Sequence, residues 1–307
     1  MERVKQLQRE SALYQCVPNF SEGRRPEVVA AIAAAIRSTP GARLIDHSAD
    51  VDHNRCVMTI LGDAEAVRQA ALNAARIAVA RIDMRTHQGV HPRAGALDVL
   101  PVVPIRNAGR EEATALAHAI GVDLAQELAL PVYFYEWSAL PGKRNALPEL
   151  RGRGFEAFAA LSLSGERAPD LGLPAVHPTA GIAVVGARAP LVAYNIDLDT
   201  GDIRIARAIA RRIRSERDTR RELTGVRALG FYLASRDIAQ VSMNLTRPEL
   251  TPLTAVFYYV LAAAHELGAG LLESEIIGVI PRASLLYPPE DIAWNDYKPE
   301  QILEYWL

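Results

Sequence analysis

The stretch HQGVHPRAGALDVLPVVP, residues 87–104, sets His87 and His91 four positions apart and follows them with Arg93 and Asp98. On a helix, that spacing aims two imidazoles at one metal ion, as in the H-E-x-x-H sites of zinc enzymes. Here Gly89 lies between the histidines and Pro92 follows directly, and both residues disfavour the helix such a pair needs. No glutamate stands where a zincin keeps its base, so no metal is expected. The other chemistry open to His91 is proton transfer. An imidazole that titrates near neutrality can take a proton from an attacking amine or give one to a leaving amine. His91 sits in a loop just ahead of an apolar strand, where a rigid scaffold commonly positions working groups. The residues alone equally allow a histidine that only ties a structural loop together.

Three other stretches concentrate polar chemistry. DHSADVDHNR (46–55) gathers Asp46, His47, Asp50, Asp52, His53 and Arg55. It suits either a divalent cation or a solvated hairpin, although it lacks the glycine and terminal glutamate of an EF-hand loop. APDLGLPAVHPTAG (168–181) is stiffened by prolines and opened by Gly172 and Gly181. It is either a linker or a loop that brings backbone close to a flat ligand. It lacks the glycine spacings of dinucleotide and P-loop sites. The arginine-rich run 209–225 reads as a solvated helix face, or as a partner for a polyanionic substrate tail, because arginine matches carboxylates in a fork. Neither Cys16 nor Cys56 has a histidine beside it and no G-x-S-x-G is present, which leaves nucleophilic catalysis little support.

Hydrophobic periodicity supplies the elements that must position these groups. Strands are predicted at 13–20, 42–49, 55–62 and 96–104, with helices at 25–39 and from the cap Asp63 to about residue 82. That order is βαββαβ, the ferredoxin-like arrangement. A helix at 109–129 and a strand at 132–139 extend it, and residues 140–181 are irregular. The order βαββαβ then recurs between residues 191 and 281. HPRAGALDV (91–99) and HPTAGIAVV (177–185) share His-Pro-x-Ala-Gly, which suggests one His-Pro loop per subdomain. The expected fold is α+β, two tandem ferredoxin-like subdomains at 1–180 and 181–307 with a ligand tunnel or crevice between them.

Half of the 307 residues are apolar, 23% are charged and the net charge is −2, so nothing draws the chain toward nucleic acid or an anionic membrane. The N-terminal stretch lacks the apolar core of a signal peptide, and Arg68, Asn73, Arg76 and Arg81 interrupt the most apolar helical run. Two isolated cysteines fit a reducing compartment, so a cytoplasmic location is expected.

VPNFSEG (17–23), DHNR (52–55), HQGVHPRAGALDVLPVVP (87–104), PVYFYE (131–136), PDLGLPAVHPTAGIAVVGAR (169–188), QVSMNLT (240–246) and SEIIGVIP (274–281) resemble, in order, the formiminotransferase family. The resemblance implies two α/β subdomains with a ligand tunnel between them. It implies transfer of the formimino group of N-formimino-L-glutamate to N5 of tetrahydrofolate, with tetrahydrofolate as co-substrate, in a protein that is commonly a homodimer. The chain looks like the stand-alone bacterial form rather than the fusion with a cyclodeaminase. Carried onto this sequence, the family's H-P-R-x-G histidine is His91. Its folate-contacting loop covers Gly172, Leu173, Pro174, Ala175, Val176, His177, Pro178, Thr179, Ala180 and Gly181. Leu173 is a departure there, since many relatives place glycine and proline together. The family's supporting acid matches Ser48, so either Asp46 or Asp50 serves or the role is dispensable. Arg93 and Arg55 are candidates to hold the carboxylates of formiminoglutamate. Formyl transfer from N-formylglutamate, or folate binding without catalysis, would use the same frame.

Overall fold

A computed structural model describes residues 11–143, 146–151, 154–160, 163–285 and 292–307. The chain opens with β1 (Leu13–Cys16) and β2 (Asn19–Phe20), two halves of one lane interrupted at Pro18, which has no N–H to donate to a ladder. There follow α1 (Pro26–Arg37), β3 (Arg43–Asp50), β4 (Arg55–Gly62), α2 (Ala64–Arg81) and β5 (Leu97–Arg106). Across the sheet the order is β5, then β1 with β2, then β4, then β3, all antiparallel. That is the ferredoxin-like order expected of βαββαβ. Asp63 starts α2 by accepting the Ala66 N–H at 2.9 Å. The helix then buries a face of alanines, which lets it lie close to its neighbours.

The first sheet continues through α3 (Arg110–Leu128), β6 (Val132–Glu136), two short helices α4 (Leu147–Arg151) and α5 (Phe155–Ala159), and β7 (Ala183–Ala187). β7 enters between β5 and β6, parallel to both. The second sheet is built from β8 (Val192–Leu198), α6 (Ile203–Glu216), β9 (Val226–Leu233), β10 (Ile238–Leu245), α7 (Leu253–Glu266) and β11 (Leu271–Ile277). Its order, β11-β8-β10-β9, repeats that of the first four lanes.

The boundary expected at 180/181 falls ahead of β7, whose hydrogen bonds are all to the first sheet; the chain passes to the second sheet between Ala187 and Val192. The His-Pro echo is corrected in the same way. Its two copies do not mark two subdomains. They lead into β5 and β7, adjacent strands of one sheet, and their glycines meet in an isolated bridge between Gly95 and Gly181. A Cβ on Gly95 would lie 1.9 Å from the Ile182 carbonyl oxygen, so this crossing tolerates only glycine.

Both sheets carry their helices on one face. Tyr14, Cys16, Met58, Ile60 and Leu100 pack under α1, α2 and α3, and Val192, Tyr194, Ile196, Val241 and Met243 pack under α6 and α7. The alternate residues of the same strands turn the other way. In the second sheet these include Asn195, Asp197 and Gln240, polar side chains that are nevertheless buried. Polar positions on the open face of an antiparallel sheet normally meet water. Here Asn195 lines a cavity that residues of the first sheet also line, and Asp197 accepts from Gln240 and Arg236. No described helix is long and apolar enough to cross a membrane.

Candidate active site

The cavity has a volume of about 510 Å³, inside the range of roughly 300–1,000 Å³ usual for small-molecule sites. The first sheet lines it with Gln15, Ser48, Asp50, Arg55 and Val99, and the second with Asn195, Arg227, Ser242, Asn244 and Glu275. His53, His91 and Arg151 enter from the loops and from α4.

His91 is placed by a loop fastened to the β3–β4 turn. The Val90 N–H donates to the Asp52 carbonyl at 3.0 Å, and Asn54 Nδ2 donates to the Gln88 carbonyl at 2.9 Å. His87 Nε2 donates to the Asn54 carbonyl at 2.8 Å, and its Nδ1 accepts from Arg93 Nε at 3.1 Å. Gly89 is required where the segments cross, because a Cβ there would lie 2.2 Å from the His53 carbonyl oxygen. His87 is therefore a tie with both nitrogens used, and the stretch that looked like a metal pair is a clasp. Among the described residues no three of His, Cys, Asp or Glu are grouped to hold a metal.

His91 differs. Its Nδ1 lies 2.7 Å from the Pro92 carbonyl, which can only accept. The proton is thus fixed on Nδ1, and Nε2 keeps its lone pair with no hydrogen-bond partner among the described residues. Burial in the cavity wall, and then the positive charges of Arg55 and Arg151, hold its pKa well below the usual histidine value. At neutral pH His91 is a base.

Asp98 organises the arginines beside it. Its carboxylate is fully buried and accepts from Arg55 Nη1 at 2.7 Å, from Arg151 Nη2, and from the Ala94 N–H at 2.8 Å. Burial alone would raise the Asp98 pKa, but Arg151 and Arg55 outweigh it and hold the carboxyl below its ordinary range. Arg55 also donates from Nε and Nη2 to Asn19 Oδ1, at 3.1 and 2.9 Å, so its guanidinium is fixed in the cavity wall.

The remaining residues expected from sequence divide. Asp50 lines the cavity and accepts the His53 N–H at 2.6 Å. Asp46 does not line it; burial raises its pKa, and its nearest charges are His47 and Lys298. Arg93 also lies off the cavity, its guanidinium engaged by Glu156 at 2.8 and 2.6 Å and by the His87 carbonyl at 2.9 Å. Its guanidinium is thus engaged by protein groups outside the cavity wall. None of Gly172 to Gly181 lines the cavity. Two glycines of that loop sit close against neighbouring backbone. Gly172, at φ +89°, lies against the Leu130 carbonyl, Gly181 lies against Ala94 and Gly95, and His177 Nδ1 accepts the Ala180 N–H at 3.0 Å. α6 lies on the far face of the second sheet, where Arg212 pairs with Glu216 and Glu266, Arg204 pairs with Asp202, and Arg214 donates to the Ala228 carbonyl. Cys16 and Cys56 are free buried thiols whose pKa burial pushes up.

Sequence reasoning missed Arg151 and Glu275, and named His53 only as one member of the polar 46–55 stretch. Arg151 had no signal, because it lies in the irregular middle of the chain. Glu275 is the most perturbed acid of the cavity. Burial, then Asp197 and Asp50, push its pKa up to about 7 against the help of Asn195 Nδ2 at 3.0 Å. A carboxyl raised above its unfolded value binds its proton more tightly in the folded state. Its contribution is complete below the unfolded pKa and is lost as pH rises through the folded one, at about 1.4 kcal/mol per pH unit. Glu275→Gln should therefore match the wild type in urea midpoint near pH 4.5 and exceed it at pH 8. Parallel midpoints across that range would disprove the assignment.

Residues 13–188 match the N-terminal subdomain of the formiminotransferase domain, and residues 193–291 match the formiminotransferase domain. A glutamate formimidoyltransferase of Streptococcus pyogenes serotype M1 is 39% identical over 274 residues, covering 89% of this chain and 91% of that protein. A second, from Thermoplasma acidophilum, is 37% identical over 277 residues and 90% of each chain. The formimidoyltransferase-cyclodeaminase of Gallus gallus is 43% identical over 277 residues, 89% of this chain but 51% of that protein. The chain thus spans about half the length of that longer relative. Two domain matches in tandem, with relatives aligned over nearly their whole length, place the chain in the formiminotransferase family.

Proposed function

We propose that this protein is a glutamate formimidoyltransferase, moving the formimino group of N-formimino-L-glutamate to N5 of tetrahydrofolate and releasing 5-formiminotetrahydrofolate and L-glutamate. The observation that carries the reading is the Nε2 lone pair of His91 in a cavity lined by Arg55, Arg151, Arg188, Arg227 and Arg247. Both substrates are polyanions, and arginine pairs with carboxylates in two-point geometry.

N5 of tetrahydrofolate attacks the amidine carbon, and His91 Nε2 takes the proton that N5 loses. The tetrahedral intermediate collapses as the C–N bond to glutamate breaks, and the same proton passes to the leaving nitrogen. The arginines hold the two substrates so that N5 faces the carbon. The reading takes Asp50, which lines the cavity, rather than Asp46 as the acid that supports the reacting groups. Arg93 acts at a distance, by holding His87 and so the loop that carries His91. Tetrahydrofolate enters the cavity between the sheets, where aromatic and apolar residues such as Trp137, Leu147 and Leu191 offer a surface for a flat ring. The reading includes a cytoplasmic homodimer, as the family resemblance implies.

The test is a spectrophotometric assay of 5-formiminotetrahydrofolate formation from formiminoglutamate and tetrahydrofolate. N-formyl-L-glutamate is run alongside as donor. Turnover with the formimino donor is the expected result. Turnover only with the formyl donor, or folate binding without transfer, would overturn the reading.

A further inference from the structure

His53 has no part in the mechanism above, yet the fold fixes it with care. It occupies the tip of the β3–β4 turn, where Asp50 holds its N–H and Gly89 presses on its carbonyl. Asn54, the next residue, takes a left-handed φ of 48° to complete the turn, and Asp52 clasps the Ser235 N–H of the second unit at 3.1 Å. The turn that carries His53 is thus held from within by Asp50 and lies against two distant segments, at Gly89 and Ser235. The side chain is left unfastened. Its ring lines the cavity, and its Nε2 is buried with no hydrogen-bond partner among the described residues.

The ring stands 5.8 Å, centroid to centroid, from His91, and both rings pack against Phe231, at 5.0 and 5.8 Å. Two imidazoles at that separation can reach different atoms of one small group lying between them. His91 is committed to the attacking nitrogen, so His53 faces what remains of the donor.

From this placement we propose that His53 is a specificity-determining residue, accepting a hydrogen bond from the cationic amidine N–H of the donor and so selecting a formimino over a formyl group. The inference rests on the proposed formimidoyl transfer. An amidine is protonated at neutral pH and offers N–H donors, whereas a formyl oxygen in the same place can only accept. An unprotonated imidazole therefore welcomes the first, and its lone pair repels the second. Burial supports this by holding the His53 pKa below its ordinary value, with Arg55 acting in the same sense. The carboxylates of Asp50, Asp52 and Asp197 act on the same ring with a negative field that attracts a cationic donor. Polar discrimination of this kind, in which a buried group is left unpaired by the wrong ligand, is the strongest that a site can build.

The experiment compares KM for N-formimino-L-glutamate with the inhibition constant of N-formyl-L-glutamate in wild type, His53→Leu and His53→Asn. His53→Leu should raise KM for the formimino donor about 10- to 100-fold, the range of one hydrogen bond involving a charged group. The inhibition constant of the formyl analogue should stay within about two-fold or fall, since the repelling lone pair is gone. His53→Asn keeps an acceptor oxygen and should recover part of the loss. Equal weakening toward both compounds would show a general packing role, and an unchanged KM would show no role; either overturns the inference. A wild-type enzyme that turns over no formimino donor would instead overturn the function on which it rests.

Discussion

His91→Ala should fold like the wild type, bind both substrates with little change in KM, and lose roughly 10²- to 10⁴-fold in kcat, the usual contribution of a positioned acid–base group. The stability loss should be modest, because among the described residues the side chain makes one hydrogen bond, to the carbonyl of the next residue, and its ring packs against Phe231 at the edge of a cavity rather than within a core. His87→Ala is the contrasting variant. It strands the Asn54 carbonyl and Arg93 Nε, so it should lose about 1–3 kcal/mol of stability, and by loosening the loop that carries His91 it should lower turnover, but far less than His91→Ala does. The pH profile sharpens the distinction. With the His91 pKa held below its ordinary value, the base form persists into mildly acidic solution. kcat/KM should stay level down through the usual histidine range and fall only below it. A His91→Ala enzyme within a few-fold of wild type would remove His91 from the chemistry.

The sequence made most of the elements legible, and the reason is physical. Strands read as alternating or continuously apolar runs, helices repeat near 3.6, and Asp63 announces α2. Periodicity does not say which sheet a strand joins. Ala183–Ala187 is apolar on both sides, as fits a strand buried between two parallel neighbours, and nothing local distinguishes the first sheet from the second. The shared His-Pro-x-Ala-Gly made it look like the start of a new unit, when it marks two glycines that meet face to face. The site shows the same limit. His91 could be picked out because proline and glycine exclude the helix a metal pair needs. Glu275 could not, since an acid alternating with apolar residues reads as a solvent-facing position until the opposite sheet covers it. His53 lies among acids in a polar turn. What makes it unusual is contributed by Gly89, Phe231 and Ser235, which lie far along the chain.

Asp98→Ala should be the most damaging single truncation for stability among the ionic residues, by about 3–5 kcal/mol. Its carboxylate is enclosed and is the counter-charge of both Arg55 and Arg151. Removing it leaves two nearly buried guanidiniums facing each other and strands the buried Ala94 N–H. The exposed pair Arg76–Glu127 supplies the control, because Glu127→Ala should cost only about 0–1 kcal/mol. Activity should also fall in Asp98→Ala beyond what unfolding explains. Arg55 loses the anchor that fixes it in the cavity wall, and the uncompensated charge of the two arginines presses the His91 pKa lower still. A weaker base in an unsettled cavity means a lower kcat and a raised KM together, measured at a temperature where the variant remains folded. Asp98→Asn keeps an acceptor for the Ala94 N–H but not the charge, so it should recover part of the stability and little of the activity. Urea midpoints and steady-state kinetics on the three variants check the account. An Asp98→Ala protein no less stable than Glu127→Ala would mean that Arg55 and Arg151 find other partners, and that the buried carboxylate does not organise this site.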